Sequence, residues 1–396
     1  MNTLQLLLAF AALSVTVWAQ GCSRLPRNLN LTANPRLPSP FTFYNGRPVR
    51  TAAQWNCRRE EISELFQRLE SGEIPPKPRS VSGSISKDDN SITVKVTHRR
   101  RTISFTASIK YPEEGKGPFP AIIALGGTTV PIPSNVATII IQHDQIAQQQ
   151  SATLSRGVGL FYDLYGKNHT ASAMAAWVWG TSRLIDALED TSRRHRINTR
   201  RLAVTGCSRN GKGTLMVGAF EPRIVLTIPQ ESGTGGAGCW RLAKDLQNRG
   251  ENVQTAPQIV TENVWFTAGF ANLTSRVDDL PFDHHLLTGL VAPRGLFVID
   301  HAGINWLGPK STYGCSVAGR KVYEALGAAD HMGVSITGNH NHCQFPEDKT
   351  GEYYTAFIDK FLFRNSSADT DIVYSDVDLG FKEEDWIDWK VPKLAK

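Results

Sequence analysis

The chain is predicted to fold as an α/β protein, a three-layer sandwich in which helices cover both faces of a mostly parallel central sheet. Three observations predict it. From Ser91 onward, β-branched runs alternate with longer helix-like stretches, the order that builds parallel sheets. The strand candidates are short and apolar, as strands buried on both faces are. One of them, Arg201 to Thr205, passes through a glycine-bracketed serine directly into a helix pattern, a join that belongs at the carboxyl end of a strand.

The elements follow in order. Met1 to Gln20 reads as an uncharged Leu/Ala/Val-rich leader ending Val17-Trp18-Ala19, a signal peptide over residues 1–19 that would send the protein out of the cell. It is short for a membrane anchor, and Cys22 and prolines follow it in place of a stop-transfer pattern, so no membrane association is expected. Gln20 to about Pro78 is rich in Pro, Arg and Asn and reads as an irregular arm holding one helix around Arg59 to Leu69. Strands are expected at Ser91–Thr97, Thr102–Tyr111, Pro120–Leu125, Ala137–Gln142, Arg201–Thr205, Ile224–Ile228, Gly295–Ile299 and Val334–Thr337. Helices are expected at Ser172–Asp190, Lys212–Phe220, Ser316–Leu326 and Gly351–Phe363. With no linker, repeat or Cys-rich module, residues 20–396 read as one catalytic domain without a carbohydrate-binding module. A monomer is expected.

The net charge of +6 is spread along the chain. The two basic clusters, His98 to Arg101 and Arg193 to Arg196, fall at expected turns, so nucleic-acid binding is not supported. A mild positive field does suit approach to acidic plant polymers. The six cysteines, Cys22, Cys57, Cys207, Cys239, Cys315 and Cys343, all lie beyond the leader. An even count in an exported chain points to three disulfides, with fifteen pairings open. The sequons at Asn30, Asn168, Asn272 and Asn365 fit the same secretory route.

The stretch from Arg201 to Gly213, RLAVTGCSRNGKG, has the strand–turn–helix context of a nucleophile elbow, with Ser208 as the nucleophile. An ordinary helix N-cap serine is the plainer alternative. Gly206 and Gly211 bracket Ser208 with one residue more than the usual Gly-x-Ser-x-Gly. The N–H of Arg209 is then an oxyanion donor, with its guanidinium as a cationic partner to the same oxygen. An α/β-hydrolase fold follows from this turn, and it places a histidine after the last strand, where Gly338-Asn-His-Asn-His-Cys343 stands. A metal-binding His-x-His pair is the alternative, but a third ligand cluster is missing and oxidised cysteines are poor ligands. If Cys207 pairs with Cys343, their Cα atoms lie about 5.5 Å apart and Ser208 and His342 each sit about 3.8 Å along the chain from the bridge. His342 is then the base, and His340 a supporting group. For the acid, Asp300 ends its strand where this fold more often places one, while Glu231 lies in the glycine-rich loop Pro229 to Gly236. Order alone leans to Asp300.

The segments Gly206 to Gly213, Gln230-Glu-Ser-Gly233 and Asn341-His-Cys343 together resemble the fungal glucuronoyl esterases (4-O-methyl-glucuronoyl methylesterases), carbohydrate esterase family 15, over essentially the whole mature chain and all six cysteines. The resemblance implies a triad of Ser208, His342 and Glu231, so it reverses the choice of acid. It implies the pairs Cys22–Cys57, Cys207–Cys343 and Cys239–Cys315, and Arg209 at the oxyanion. It also implies that Lys212, Gln254, Glu262 and Trp306 hold the sugar, with Lys212 and Glu262 on ring hydroxyls and Trp306 lining the pocket. Read alone, Lys212 is a cation at a helix start, where it is mildly unfavourable and a functional reason fits, while Glu262 reads as the start of a solvated turn, Gln254 is unremarkable and Trp306 reads as a packing residue. The implied substrate is an ester of glucuronic acid or its 4-O-methyl form, as it joins glucuronoxylan to lignin alcohols. A Ser–His–Glu acyl-enzyme cycle needs no cofactor or metal. The alternatives are a secreted acetyl or feruloyl esterase, and a hydrolase fold that binds polysaccharide without catalysis.

Overall fold

The computed structural model describes residues 22–395, so the expected leader at residues 1–19 lies outside them. Ten strands form one sheet among the described residues: β1 (Ser80–Ile85), β2 (Ser91–His98), β3 (Arg101–Lys110), β4 (Phe119–Leu125), β5 (Ala137–Ile141), β6 (Ile197–Cys207), β7 (Ile224–Gln230), β8 (Gly295–His301), β9 (Met332–Thr337) and β10 (Val373–Ser375). Their spatial order is β1-β2-β3-β5-β4-β6-β7-β8-β9-β10. β1, β2, β3 and β5 pair antiparallel, and from β5 through β4 to β10 every pair is parallel. All eight expected strands are present. The two additions are edge strands: serine-rich β1 is half-exposed and β10 spans three residues, so neither carries an apolar signal. Gly83 in β1 is needed because a Cβ there would lie 2.6 Å from the Ala187 carbonyl of the covering helix.

One face is covered by the helices Ala173–Asp190, Arg209–Phe220, His284–Val291 and Pro309–Ala325. Trp177, Trp179, Leu215, Leu286 and Tyr323 are buried there. On the other face Tyr354, Phe357 and Ile358 of the helix Glu347–Leu362 pack on Ile122, Ala203, Ile228 and Phe297. Each large apolar side chain buried this way contributes roughly 1.5–3 kcal/mol. This is the expected three-layer arrangement. The helix His284–Val291, buried along its whole length, was not expected, since it spans only eight residues.

The N-terminal helix runs Ala52–Phe66 instead of the expected Arg59 to Leu69, because Thr51 caps it by accepting from Gln54 N–H and its first turns already bury Trp55 and Arg58. It passes through a wide turn, Gln67–Ser71, and stops at Gly72, where φ is 77° and a Cβ would lie 2.0 Å from the Thr170 carbonyl oxygen. Cys22–Cys57 and Cys239–Cys315 are bridged, with Cα separations of 5.1 and 5.4 Å. The side chains of Asn30, Asn168, Asn272 and Asn365 are all exposed. None of the described helices is long and apolar enough to cross a membrane.

Candidate active site

Ser208 sits between the end of β6 and the helix Arg209–Phe220, with φ 58° and ψ −124°. A non-glycine residue in this conformation costs about 1–3 kcal/mol. Its side chain makes no capping bond, so it is not an N-cap serine. The surrounding backbone enforces the turn: Ser208 N–H donates to the Gln230 carbonyl at 2.9 Å, and Lys212 N–H to the Ser208 carbonyl at 3.0 Å. A Cβ on Gly206 would lie 2.8 Å from the Asn210 carbonyl oxygen, and one on Gly211 would lie 2.5 Å from that of Gln230. The extra residue before Gly211 thus leaves this glycine facing β7, where only a hydrogen fits. Arg209 opens the helix, so its N–H has no intrahelical acceptor. Its exposed guanidinium lies 5.8 Å from the centre of the Trp265 ring.

The bridge between Cys207 and Cys343, with Cα atoms 5.7 Å apart, ties the residue before Ser208 to the residue after His342. His342 Nδ1 lies 2.5 Å from Glu231 Oε2. That contact assigns the Nδ1 proton and leaves Nε2 as the basic nitrogen. No hydrogen bond joins the Ser208 hydroxyl to His342 among the described residues. In ligand-free sites such bonds are often long and tighten when substrate is in place.

Glu231 is fully buried with φ 45°, and its N–H donates to the Ile299 carbonyl at 2.6 Å. Oε2 also accepts the Cys343 N–H at 2.8 Å. Burial works to raise the Glu231 carboxyl, but bonds from His342 and Cys343 outweigh it and hold the group below the usual carboxylate range. In return, the bond to Glu231 raises the His342 imidazole above its ordinary value. Asp300, at the end of β8, is fully buried. Its Oδ1 accepts its neighbour His301's N–H at 2.8 Å and its Oδ2 has no partner. Burial pushes its carboxyl up to about 7. Of the two acids, Glu231 meets the histidine.

Lys212 is buried, and Nζ donates to the carbonyls of Ser232 at 2.5 Å and Thr234 at 2.6 Å and to Gln254 Oε1 at 3.0 Å. These three acceptors match the three donors of an ammonium. Burial nevertheless lowers its pKa to about 7. Gln254 N–H donates to the Trp306 carbonyl at 2.9 Å, and the half-buried Trp306 follows β8. Lys212 Nζ lies 5.6 Å from the Trp265 ring centre. Lys212, Gln254 and Trp306 are thereby linked in one wall. Glu262 stands outside these contacts, exposed at the end of the helix Ala256–Glu262, where Gln258 donates to its side chain.

The loop holding Lys212 is anchored from outside the sheet. His284 Nδ1 contacts the Gly236 carbonyl at 2.6 Å, and its Nε2 contacts Glu70 Oε1 at 3.0 Å. Burial opposes the charged ring, but Glu70 prevails and raises the His284 pKa. Ligand atoms of Cys207, Glu231, His342 and Cys343 fall within 4.8 Å of one another. Both sulfurs are in the bridge, so the cluster offers no thiolate to a metal.

Two parts of the site were not foreseen. The loop after β4, Gly126-Gly-Thr-Thr129, approaches the elbow: a Cβ on Gly126 would lie 2.9 Å from Asn210 Nδ2, and Thr129 Oγ1 donates to Gln230 Oε1 at 2.6 Å. Its paired glycines were the available signal, since hydrolase folds take a second oxyanion donor from the corresponding loop. The other is the contact of His340 with Glu231, at 3.1 Å.

This geometry can support nucleophilic acyl transfer: a proud serine, an imidazole oriented by a buried carboxylate, and free N–H groups at a helix start. The fungal glucuronyl esterase family model matches residues 94–327. The 4-O-methyl-glucuronoyl methylesterase of Podospora anserina is 50% identical over 376 residues, 94% of this chain and 78% of that one. That of Neurospora crassa is 47% identical, over 98% and 96% of the two chains. The glucuronoyl esterase catalytic domain from Hypocrea jecorina has the same fold, with a TM-score of 0.88, 47% identity and coverage of 94% of this chain and 100% of that one. A Sporotrichum thermophile glucuronoyl esterase mutant in complex with methyl 4-O-methyl-beta-D-glucopyranuronate superposes with a TM-score of 0.89 and 47% identity, over 93% and 98% of the two chains. This chain belongs to the fungal glucuronoyl esterases.

Proposed function

We propose that this protein hydrolyses esters of D-glucuronic acid and its 4-O-methyl form by a Ser208–His342–Glu231 acyl-enzyme mechanism. The observation that carries the reading is the Cys207–Cys343 bridge holding the end of β6 to the loop after β9 while Glu231 Oε2 faces His342 Nδ1. His342 takes the Ser208 proton as the hydroxyl attacks the uronate carbonyl. The Arg209 N–H and guanidinium stabilise the oxyanion, and His342 protonates the departing alcohol. Water repeats the cycle on the acyl-enzyme. An esterified uronate is neutral at its reacting carbon, so Arg209 acts mainly as charge develops.

Lys212, Gln254, Glu262 and Trp306 form the sugar-binding side in this reading. The natural substrate is the ester joining glucuronoxylan to lignin alcohols. The protein works as a secreted, monomeric single domain spanning residues 20–396, with the arm packed on it and glycans on its exposed sequons. Turnover of methyl 4-O-methyl-glucuronate, set beside acetylated xylan and feruloyl esters, tests the reading. The uronate ester is expected to be cleaved, and Ser208→Ala to abolish cleavage with the fold intact. Inactivity on the uronate, or an active Ser208→Ala protein, would overturn it.

A further inference from the structure

Glu231 faces two imidazoles. Its Oε2 meets His342 Nδ1 at 2.5 Å and its Oε1 meets His340 Nε2 at 3.1 Å. The other nitrogen of His340, Nδ1, lies 3.2 Å from the Gly338 carbonyl oxygen. Both ring nitrogens of His340 therefore face oxygens that only accept, since Glu231 is held in its ionised form. A neutral imidazole has one N–H and one lone pair, so it would turn that lone pair against one of the two oxygens. Only the imidazolium satisfies both.

The ring is fixed as well as faced. The His340 side chain is 5% exposed. The His301 ring lies against it with centres 4.1 Å apart. His301 Nδ1 accepts the Gly303 N–H at 2.9 Å, so its Nε2 carries the proton and donates to the His340 carbonyl at 2.7 Å. His301 thereby clamps the backbone of His340. The other charged groups bearing on His342 are Glu231 from the end of β7, Asp300 from the end of β8 and Lys212 from the helix after β6. Those that face His340 are Glu231 and the His301 ring.

Resting on the Ser–His–Glu reading, we propose that His340 is a positioning residue for the reaction: as an imidazolium it holds Glu231 Oε1 and shares the carboxylate's charge with His342. A carboxylate serving one histidine would orient it and also make it a strong base, protonated and idle in mildly acidic surroundings. The second cation keeps the orientation while lowering the proton affinity of the working ring.

His340→Gln retains an N–H donor for Oε1 and deletes the charge. In the pH profile of kcat/KM on methyl 4-O-methyl-glucuronate, its acid limb is expected to move up by about one pH unit with KM nearly unchanged. A folded His340→Gln protein with an unmoved limb would overturn the proposal. Nitrogen-15 NMR of the Ser208→Ala protein gives a readout independent of turnover. While Glu231 is ionised, both His340 ring nitrogens are expected to carry protons, and a bare nitrogen would equally overturn it. Activity retained by Ser208→Ala would sink the Ser–His–Glu reading itself, a different result from either of these.

Discussion

Glu231 accepts the Cys343 N–H with the same oxygen, Oε2, that meets His342 Nδ1. One buried carboxylate therefore positions both the ring and the backbone that carries it. Glu231→Ala is expected to lower kcat on a methyl glucuronate ester by about 10³-fold or more, the order lost when a triad acid is removed. Asp300→Ala should lose much less, because Asp300 ends β8 bonded to its own neighbour's N–H. Steady-state kinetics of the two variants check this, and the reverse order would move the acid to β8.

The sign of the pH response follows from the same contact. Glu231 raises the His342 imidazole, and in the proposed mechanism His342 works as a base only when neutral, so activity is expected to fall as pH drops through that raised value. Glu231→Gln removes the charge, and the acid limb of kcat/KM should shift to lower pH while the plateau falls. A limb that stays in place or moves upward would show that another group controls it.

Asp300 makes a separate prediction about stability. Burial lifts its carboxyl from 3.8 to about 7, so the native protein holds that proton more tightly than the unfolded chain. The resulting contribution is complete below about pH 4 and is lost as pH rises through about 7. Asp300→Asn, which does not titrate, should therefore gain stability relative to the parent across this window. The bound is about 4 kcal/mol, three units at about 1.4 each. Urea melts at the two ends of the window measure it, and an unchanging difference would contradict it.

The Cys207–Cys343 bridge flanks Ser208 and His342, while the sheet's hydrogen bonds do not depend on it. Replacing both cysteines by alanine should lower kcat by at least tenfold at temperatures where far-ultraviolet circular dichroism is still native. Parallel loss of both signals would assign the bridge a global role instead.

Much of this was legible in the sequence, for identifiable reasons. The six strands β4 to β9 announce themselves because burial on both faces demands continuous apolar residues, and β2 and β3 because their buried and exposed positions alternate. The elbow is legible because Gly206 and Gly211 stand where neighbouring carbonyls leave no room for a Cβ. The sequence left the acid open, since Glu231 and Asp300 both follow strands. The choice lies in where each carboxylate points, and Glu231's φ of 45° is what turns it toward His342. Sequence reasoning placed His340 only as a supporting group, because a one-residue-spaced pair says nothing about a shared partner. β1 stayed hidden because its serines give a half-exposed strand no apolar period.

Glu70 belongs to the segment before the first strand, yet through His284 it grips the Gly236 carbonyl in the loop whose carbonyls surround the Lys212 ammonium. The first fifty described residues are thus wired into the loop around Lys212. An engineer who trims that segment to make a smaller catalyst should expect the loop around Lys212 to slacken and the melting temperature to fall together, because Trp55 and Phe66 leave the core with it.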